Sequence, residues 1–211
     1  MAPVDDSQSG KNGVLDQALT VLLKDLRRQI SKEKGVPPYV IFQDPSLEDM
    51  ATQYPISMED MTKITGVSKG KATRYGKSFM GLIKEYVEEN NIERPTEIVV
   101  KQIANKSKIK VNIIQSIDRK IPLHDIASSN SLSMEEIIEE MEAIVISGTK
   151  LNIDYYVEDV VDPDSQEDIY EFFMESESGS MEEAFEELKE DEVTMEEIQL
   201  IRIKFLSEMA N

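Results

Sequence analysis

A single histidine, His124, and no cysteine leave this chain few side chains able to exchange protons near neutrality or to attack a substrate. His124 stands in Pro122-Leu123-His124-Asp125-Ile126, a surface or helix-start setting with no serine–histidine–aspartate companions. Without cysteines there are no disulfides, thiolate metal sites or cysteine nucleophile, which fits a reducing compartment. The stretch Gly66-Val67-Ser68-Lys69-Gly70-Lys71-Ala72 approaches a phosphate-binding loop. It has one residue too few between its glycines, and Ala72 stands where a magnesium-binding hydroxyl is needed. Mg-ATP therefore has no seat there. The acidic run Asp159, Asp162, Asp164, Glu167 and Asp168 fails as a calcium loop. Counted from Asp162, Glu167 falls where the turn needs glycine and Phe173 where a bidentate glutamate belongs. No cofactor or metal is expected, and these residues describe a binding module, not an enzyme.

The chemistry that remains is ionic. Forty-two acidic against 23 basic side chains give a net charge of −19, unevenly spread. Residues 1–100 carry 13 basic and 15 acidic groups, residues 101–150 seven of each, and residues 151–211 three against 20. Phosphate is tolerated by the first two segments and repelled by the third. From Ser68 a helix places Ala72, Tyr75, Phe79, Leu82 and Tyr86 on one apolar stripe. By helical-wheel counting, Lys71, Arg74, Lys77 and Lys84 lie off that stripe, where they could meet phosphates. Lys69 stands in the first turn, where backbone N–H groups and the helix dipole add an anion seat. Gly66 and Gly70 would admit a phosphate backbone. A plainer arrangement fits as well, with a solvated charged face and a tight interhelix turn at the glycines.

The length suits one large domain or two small ones. Apolar residues make up 40%, with no Trp, 6% aromatics and 11 Met, so the core should be aliphatic and adaptable. Residues 1–13 are polar, without periodicity, and read as a flexible leader or linker. A helix from Val14 to about Lys34 places Leu15, Leu19, Leu22, Leu26 and Ile30 on one face, and Gly35 with Pro37-Pro38 stops it. Short segments follow, two of them opened by Ser46 with Asp49 and Ser57 with Asp60, each a helix-start pattern. After the helix from Ser68, the pattern resets near Glu93-Arg94-Pro95-Thr96. A basic helical stretch from Glu97 to Asp118, a short segment at Leu123–Ser129 and a helix capped by Ser133 and Glu136 outline a helix-turn-helix. Leu151, Ile153, Tyr155 and Val157 alternate, which favours a short strand or wing, although a helix fits nearly as well. Three acidic amphipathic helices follow, at about Ser165–Met174 and after Ser180 and Thr194. The longest apolar runs, such as Tyr39–Phe42, fall far short of the roughly 20 residues of a membrane span. With no signal-peptide core either, the chain is expected to be cytoplasmic.

Several separated motifs occur in order. They are Leu22 and Leu26-Arg27-Arg28, Val36-Pro37-Pro38-Tyr39-Val40-Ile41-Phe42, Leu47-Glu48-Asp49-Met50-Ala51, Pro55, Ile64-Thr65-Gly66-Val67 and Tyr75-Gly76-Lys77-Ser78-Phe79. Together they closely resemble the HRDC domain, the helicase-and-RNase-D C-terminal domain, over about residues 14–94. Residues 106–160, notably Lys110–Lys120 and Ser147–Tyr156, look like the helix-turn-helix that follows HRDC in some bacterial RecQ-type helicases. That order favours RecQ over RNase D. The resemblance implies an all-α chain: a flexible leader at 1–13, a five-helix HRDC-like bundle at 14–94, a helix-turn-helix domain at 95–160 and an acidic helical extension at 161–211. It also implies a non-catalytic accessory region of an ATP-dependent DNA helicase serving DNA recombination and repair. Its partners would be single-stranded or structured DNA, held weakly, and the helicase motor domain of the same parent chain. Tyr39 is the family-matched aromatic that could stack on a base, worth about 1–3 kcal/mol, beside Lys69, Lys71, Arg74, Lys77 and Lys84. Tyr39 fits a half-buried position equally well.

The would-be recognition helix, Met134 to Glu142, has five glutamates in nine residues and no Arg, Asn or Gln to read base edges. Major-groove reading by it is not expected. Lys101 to Lys110 with Arg119 and Lys120 could touch backbone instead, and packing or protein contact is the expected use of this fold. The alternative function is an acidic protein-interaction adaptor with little or no nucleic-acid binding, its C-terminal helices docking a protein partner.

Overall fold

The computed structural model describes residues 16–94, 106–189 and 193–209, which are helical with no strand among them. The leader at 1–13, residues Val14 and Leu15, and Lys101 lie outside the described residues. Five helices make the first half: α1 (Gln17–Lys34), α2 (Pro38–Ile41), α3 (Asp44–Gln53), α4 (Met58–Met61) and α5 (Lys69–Glu89). Seven follow: α6 (Lys106–Asp118), α7 (Leu123–Ser129), α8 (Met134–Ile146), α9 (Asp154–Val160), α10 (Pro163–Glu175), α11 (Met181–Leu188) and α12 (Met195–Met209).

Local chemistry explains most boundaries. Asp16 caps α1, and its carboxylate also accepts from the hydroxyls of Tyr54 and Tyr86, tying three elements together. Gly35 ends α1 in the left-handed region, its N–H returning to the Ser31 carbonyl. Ser57 and Ser68 cap α4 and α5, and Ser133 with Glu136 forms a reciprocal capping box on α8. The Ser46/Asp49 start signal is overturned. Pro45 lies in the first turn of α3, which begins at Asp44, and both polar side chains turn inward. Ser46 Oγ donates to the Thr65 carbonyl at 2.8 Å, and Asp49 accepts from the Thr65 N–H at 2.8 Å.

The first core gathers Phe42, Tyr75 and Phe79 with Leu19, Leu23, Leu47, Met50 and Ile83. The face of α1 is rotated from the expected one: Leu23 and Arg27 are buried while Leu22 is 41% exposed. Arg27 goes inside because its guanidinium finds the Phe42 carbonyl at 2.7 Å and Asp44 at 2.8 Å. Burial would raise the Asp44 carboxyl, but hydrogen bonds from Lys24 and Arg27 hold it below its ordinary value.

A second core joins α6 through α12 without a break, centred on α12, which buries residues almost all round and packs on α8, α9, α10 and α11. The expected strand or wing at 151–157 is not formed: residues 151–153 are a short non-helical lead, and residues 154–157 already belong to α9, the helical alternative. No strand pairs with that lead, because Ser207 of α12 serves Leu151 in that role, accepting from its N–H at 2.8 Å and donating to its carbonyl at 2.6 Å. The short helix α2 is divided between the cores. Tyr39 and Val40 belong to the second, while Ile41 and the following Phe42 belong to the first. No helix among the described residues is long and apolar enough to cross a membrane.

Candidate nucleic-acid interface

The outer side of α5 carries Arg74, Lys77 and Lys84 on one exposed stripe, with the open position of Gly81 between the last two. At 1.5 Å rise per residue, Arg74 and Lys84 are about 15 Å apart along the axis. That matches several phosphates at about 3.4 Å of rise per strand. Lys69 is exposed in the first turn, Lys84 stands 3.9 Å from Glu88, and the Arg74 guanidinium lies 5.8 Å from the Tyr75 ring centroid. The field along the helix is graded, because Glu85, Glu88 and Glu89 are exposed at its far end.

Lys71 is elsewhere, and its expected place off the apolar face is corrected. It is 3% exposed, and its ammonium donates to the Val40 carbonyl at 3.0 Å. The cause is a neighbour that helical-wheel counting cannot include. Gly148, just past α8, lies so close that a Cβ there would come 2.9 Å from Lys71 Cγ and 3.1 Å from Ser68 Oγ. Burial first, then the charge of Arg74, lower the Lys71 pKa from 10.5 to about 8. The start of α5 is thus taken up by its own cap, with Ser68 Oγ accepting from the Lys71 N–H at 3.2 Å, and by Gly148 above it.

Tyr39 is also inside, 3% exposed. Its hydroxyl donates to the Phe173 carbonyl at 2.7 Å, and its ring stacks near Phe205 with centroids 6.3 Å apart. Gly179 closes the other side, where an added Cβ would meet the ring at 2.7 Å. Burial raises the phenol pKa well above its ordinary value. The six expected residues are therefore parted: Lys69, Arg74, Lys77 and Lys84 face outward, while Tyr39 and Lys71 lie in the junction between the two halves. Gly66, at φ +72, serves a tight turn, since a Cβ there would sit 2.9 Å from Ser46 Oγ; Gly70 is exposed.

The junction's glycines escape sequence reasoning, although both have the mark of close backbone approach. Gly148 and Gly179 are in the positive-φ region at +91 and +64, and each gives up its Cβ space to a side chain of the first half. Arg202 braces the second contact. It pairs with Glu142 of α8 and donates from Nε to the Gly179 carbonyl at 2.9 Å. A cleft of about 450 Å³ beside Gly179 is lined by Lys24, Arg27, Arg28 and Arg202. Asp44, Asp25, Glu177 and Glu142 already pair with these cations, so the cleft has little charge left for an anion. The acidic α8 turns Ile137, Ile138, Met141, Ile144 and Val145 inward and keeps Glu135, Glu136 and Glu139 exposed. Among the described residues, no group of three or more acidic or histidine side chains is placed to hold a metal.

Comparison with known proteins agrees with this architecture. Residues 16–83 match the HRDC domain, and residues 107–157 match the RecQ-1-like helix-turn-helix domain. The ATP-dependent DNA helicase RecQ of Haemophilus influenzae is 41% identical over 71 residues, 34% of this chain and 12% of that protein. RecQ of Bacillus subtilis is 36% identical over 64 residues, 30% of this chain and 11% of that protein. The bifunctional 3'-5' exonuclease/ATP-dependent helicase WRN of Mus musculus is 23% identical over 167 residues, 72% of this chain. The chain thus spans only about an eighth of the length of these relatives. It carries an HRDC domain followed by a RecQ-1-like helix-turn-helix domain, an order consistent with the C-terminal region of a RecQ helicase.

Proposed function

We propose that this chain is a non-catalytic accessory region of a RecQ-type ATP-dependent DNA helicase, acting in the cytoplasm. It gives a weak, salt-sensitive hold on single-stranded or structured DNA and presents it to a motor domain of the same parent protein. The observation that carries this reading is the exposed stripe of Arg74, Lys77 and Lys84 with Lys69 at its head. Tyr39 and Lys71 hold the C-terminal helices on the first half, so phosphate contact without base stacking is the mode of binding. So few contacts imply a dissociation constant no better than roughly 10⁻⁴–10⁻⁶ M at physiological salt. The sequence holds no phosphate-binding loop of the G-x-x-x-x-G-K-[ST] form, so ATP hydrolysis is left to the motor.

Fluorescence polarisation of the full chain with a labelled single strand tests this. Arg74→Glu with Lys77→Glu should weaken binding about tenfold and reduce the salt slope by about one to two. Unchanged binding would remove the stripe from the reading. The adaptor reading is favoured by one observation, the burial of Tyr39 and Lys71 beneath the C-terminal half. It expects no binding even at low salt.

A further inference from the structure

The outward side of α6 carries a further set of exposed cations. Lys108, Asn112, Gln115 and Arg119 recur at steps of four, three and four residues, and all are exposed, opposite the buried Ile113 and Ile117. They form one stripe with Lys108 at one end, Arg119 in the turn just past α6 at the other, roughly 16 Å away if the helical rise is carried through, and two amides between. Lys120, exposed and held at φ +54, extends the cationic end. Lys108, Arg119 and Lys120 have no carboxylate within ion-pair distance among the described residues. In a chain of net charge −19 that is unusual economy. Lys110, on the inward side of the same helix, is occupied instead: it is partly buried and donates to Ser147 Oγ at 2.9 Å. The acidic groups at this end are Asp118 and Asp125, the latter 3.1 Å from His124.

The neighbourhood of this stripe links it to α5. Ser147 meets Lys110 of α6, and the next residue, Gly148, packs on Lys71 and Ser68 of α5. Lys110 of α6 and the start of α5, where Lys69 is exposed, thus meet the same short segment, Ser147-Gly148. Exposed cations attract a polyanion. Between them the Gln115 amide can donate to phosphate oxygens or pair with base edges, while Asn112, whose Oδ1 accepts from Asn130 Nδ2 at 3.0 Å, keeps its NH2 group for a phosphate oxygen. The exposed glutamates at the start of α8 oppose deep insertion into a groove. We propose that the outer face of α6, not the recognition helix α8, is a second DNA contact, with Lys108, Arg119 and Lys120 taking backbone phosphates and Asn112 and Gln115 filling the space between. The ligand class rests on the DNA reading above.

The test is fluorescence polarisation with the full chain, using short (about 10-nucleotide) and long (about 30-nucleotide) single strands and a duplex of the longer sequence. Lys108→Glu with Arg119→Glu should weaken the long strand about tenfold and lower its salt slope by about one to two. Asn112→Ala with Gln115→Ala, which changes no charge, should weaken it about threefold. Lys32→Glu with Lys34→Glu, an equal charge change on exposed cations of α1, should stay within about twofold, and circular dichroism should match wild type throughout. Unchanged binding in both α6 variants, or an equal loss in the α1 control, overturns the proposal. Arg74→Glu with Lys77→Glu in the same series separates the two faces. Loss there alone leaves the α5 reading and removes the α6 one, and loss in the α6 variants alone does the reverse. A wild-type chain that binds neither strand nor duplex at low salt removes both.

Discussion

The Tyr39 hydroxyl donates at 2.7 Å to the carbonyl oxygen of Phe173, 134 residues further along the chain. That carbonyl lies in the last turn of α10, where backbone acceptors have no partner within the helix. The bond therefore completes one half's secondary structure with the other half's side chain. Around it, Phe205 and Gly179 close on the ring, and Val40 enters the same core. The two halves are packed together, not merely tethered.

Tyr39→Phe keeps the ring and leaves the Phe173 carbonyl unpaired, so urea unfolding of the whole chain should show a loss of about 1–2 kcal/mol. Tyr39→Ala also leaves a cavity and should cost about 3–5 kcal/mol. If the alanine variant costs no more than the phenylalanine one, the ring is not packed as described.

Gly179 and Gly35 share a left-handed backbone, at φ +64 and +66, but differ in surroundings. A Cβ at Gly35 meets nothing within 4 Å, whereas one at Gly179 meets the Tyr39 ring at 2.7 Å. Both alanine variants carry the conformational strain. Gly179→Ala should carry an extra overpacking cost of about 1–3 kcal/mol, read as a lower midpoint in thermal unfolding. Equal losses at the two positions would show that the junction yields freely there.

Lys71 gives the stability a pH dependence of defined sign. In the folded chain its ammonium, facing the Val40 carbonyl with Arg74 as the neighbouring charge, loses its proton near pH 8, against 10.5 ordinarily. Between those values the unfolded chain binds more protons, so stability rises with pH; below about 8 the contribution is flat and unfavourable. From pH 7 to 9 the gain should be about 1 kcal/mol; above that the tyrosines, whose folded pKa values are raised above 10, begin to titrate in the unfolded chain and oppose it. Lys71→Met should remove this slope and stabilise the chain at neutral pH. A variant with the wild-type slope would assign the effect to another group.

Much of the architecture is legible from short-range rules. The long helices α1 and α5 and the caps at Ser57 and Ser133 follow from spacing and from which residues satisfy helix ends, whereas α12, expected to be amphipathic, buries residues almost all round. The family resemblance ordered the two domains. What could not be read depends on contacts distant in sequence. Lys71 counts as an outer residue on an isolated wheel and becomes an inner one because Gly148, 77 positions away, comes to rest on it. Ser46 looks like a cap until the Thr65 carbonyl draws its hydroxyl inward, and Asp49 follows to the Thr65 N–H. Alternation over Leu151–Val157 suits a strand, but no partner strand is supplied, and Ser207 satisfies Leu151 in its place. Arg74, Lys77 and Lys84 face outward as the wheel has them, because nothing among the described helices packs over that side.

The divided allegiance of α2 has a practical corollary for anyone trimming this protein. Excising the first ninety or so residues would strip away the environment of Tyr39 and Val40, baring a phenol and an aliphatic side chain that the intact chain keeps inside. It would also uncover the Lys71 ammonium and restore its ordinary basicity. Such a fragment would display an aromatic and a cation that the intact chain covers, two groups an oligonucleotide could engage only after the cut. Affinities from the excised piece and from the whole chain would then describe two different surfaces made of the same residues.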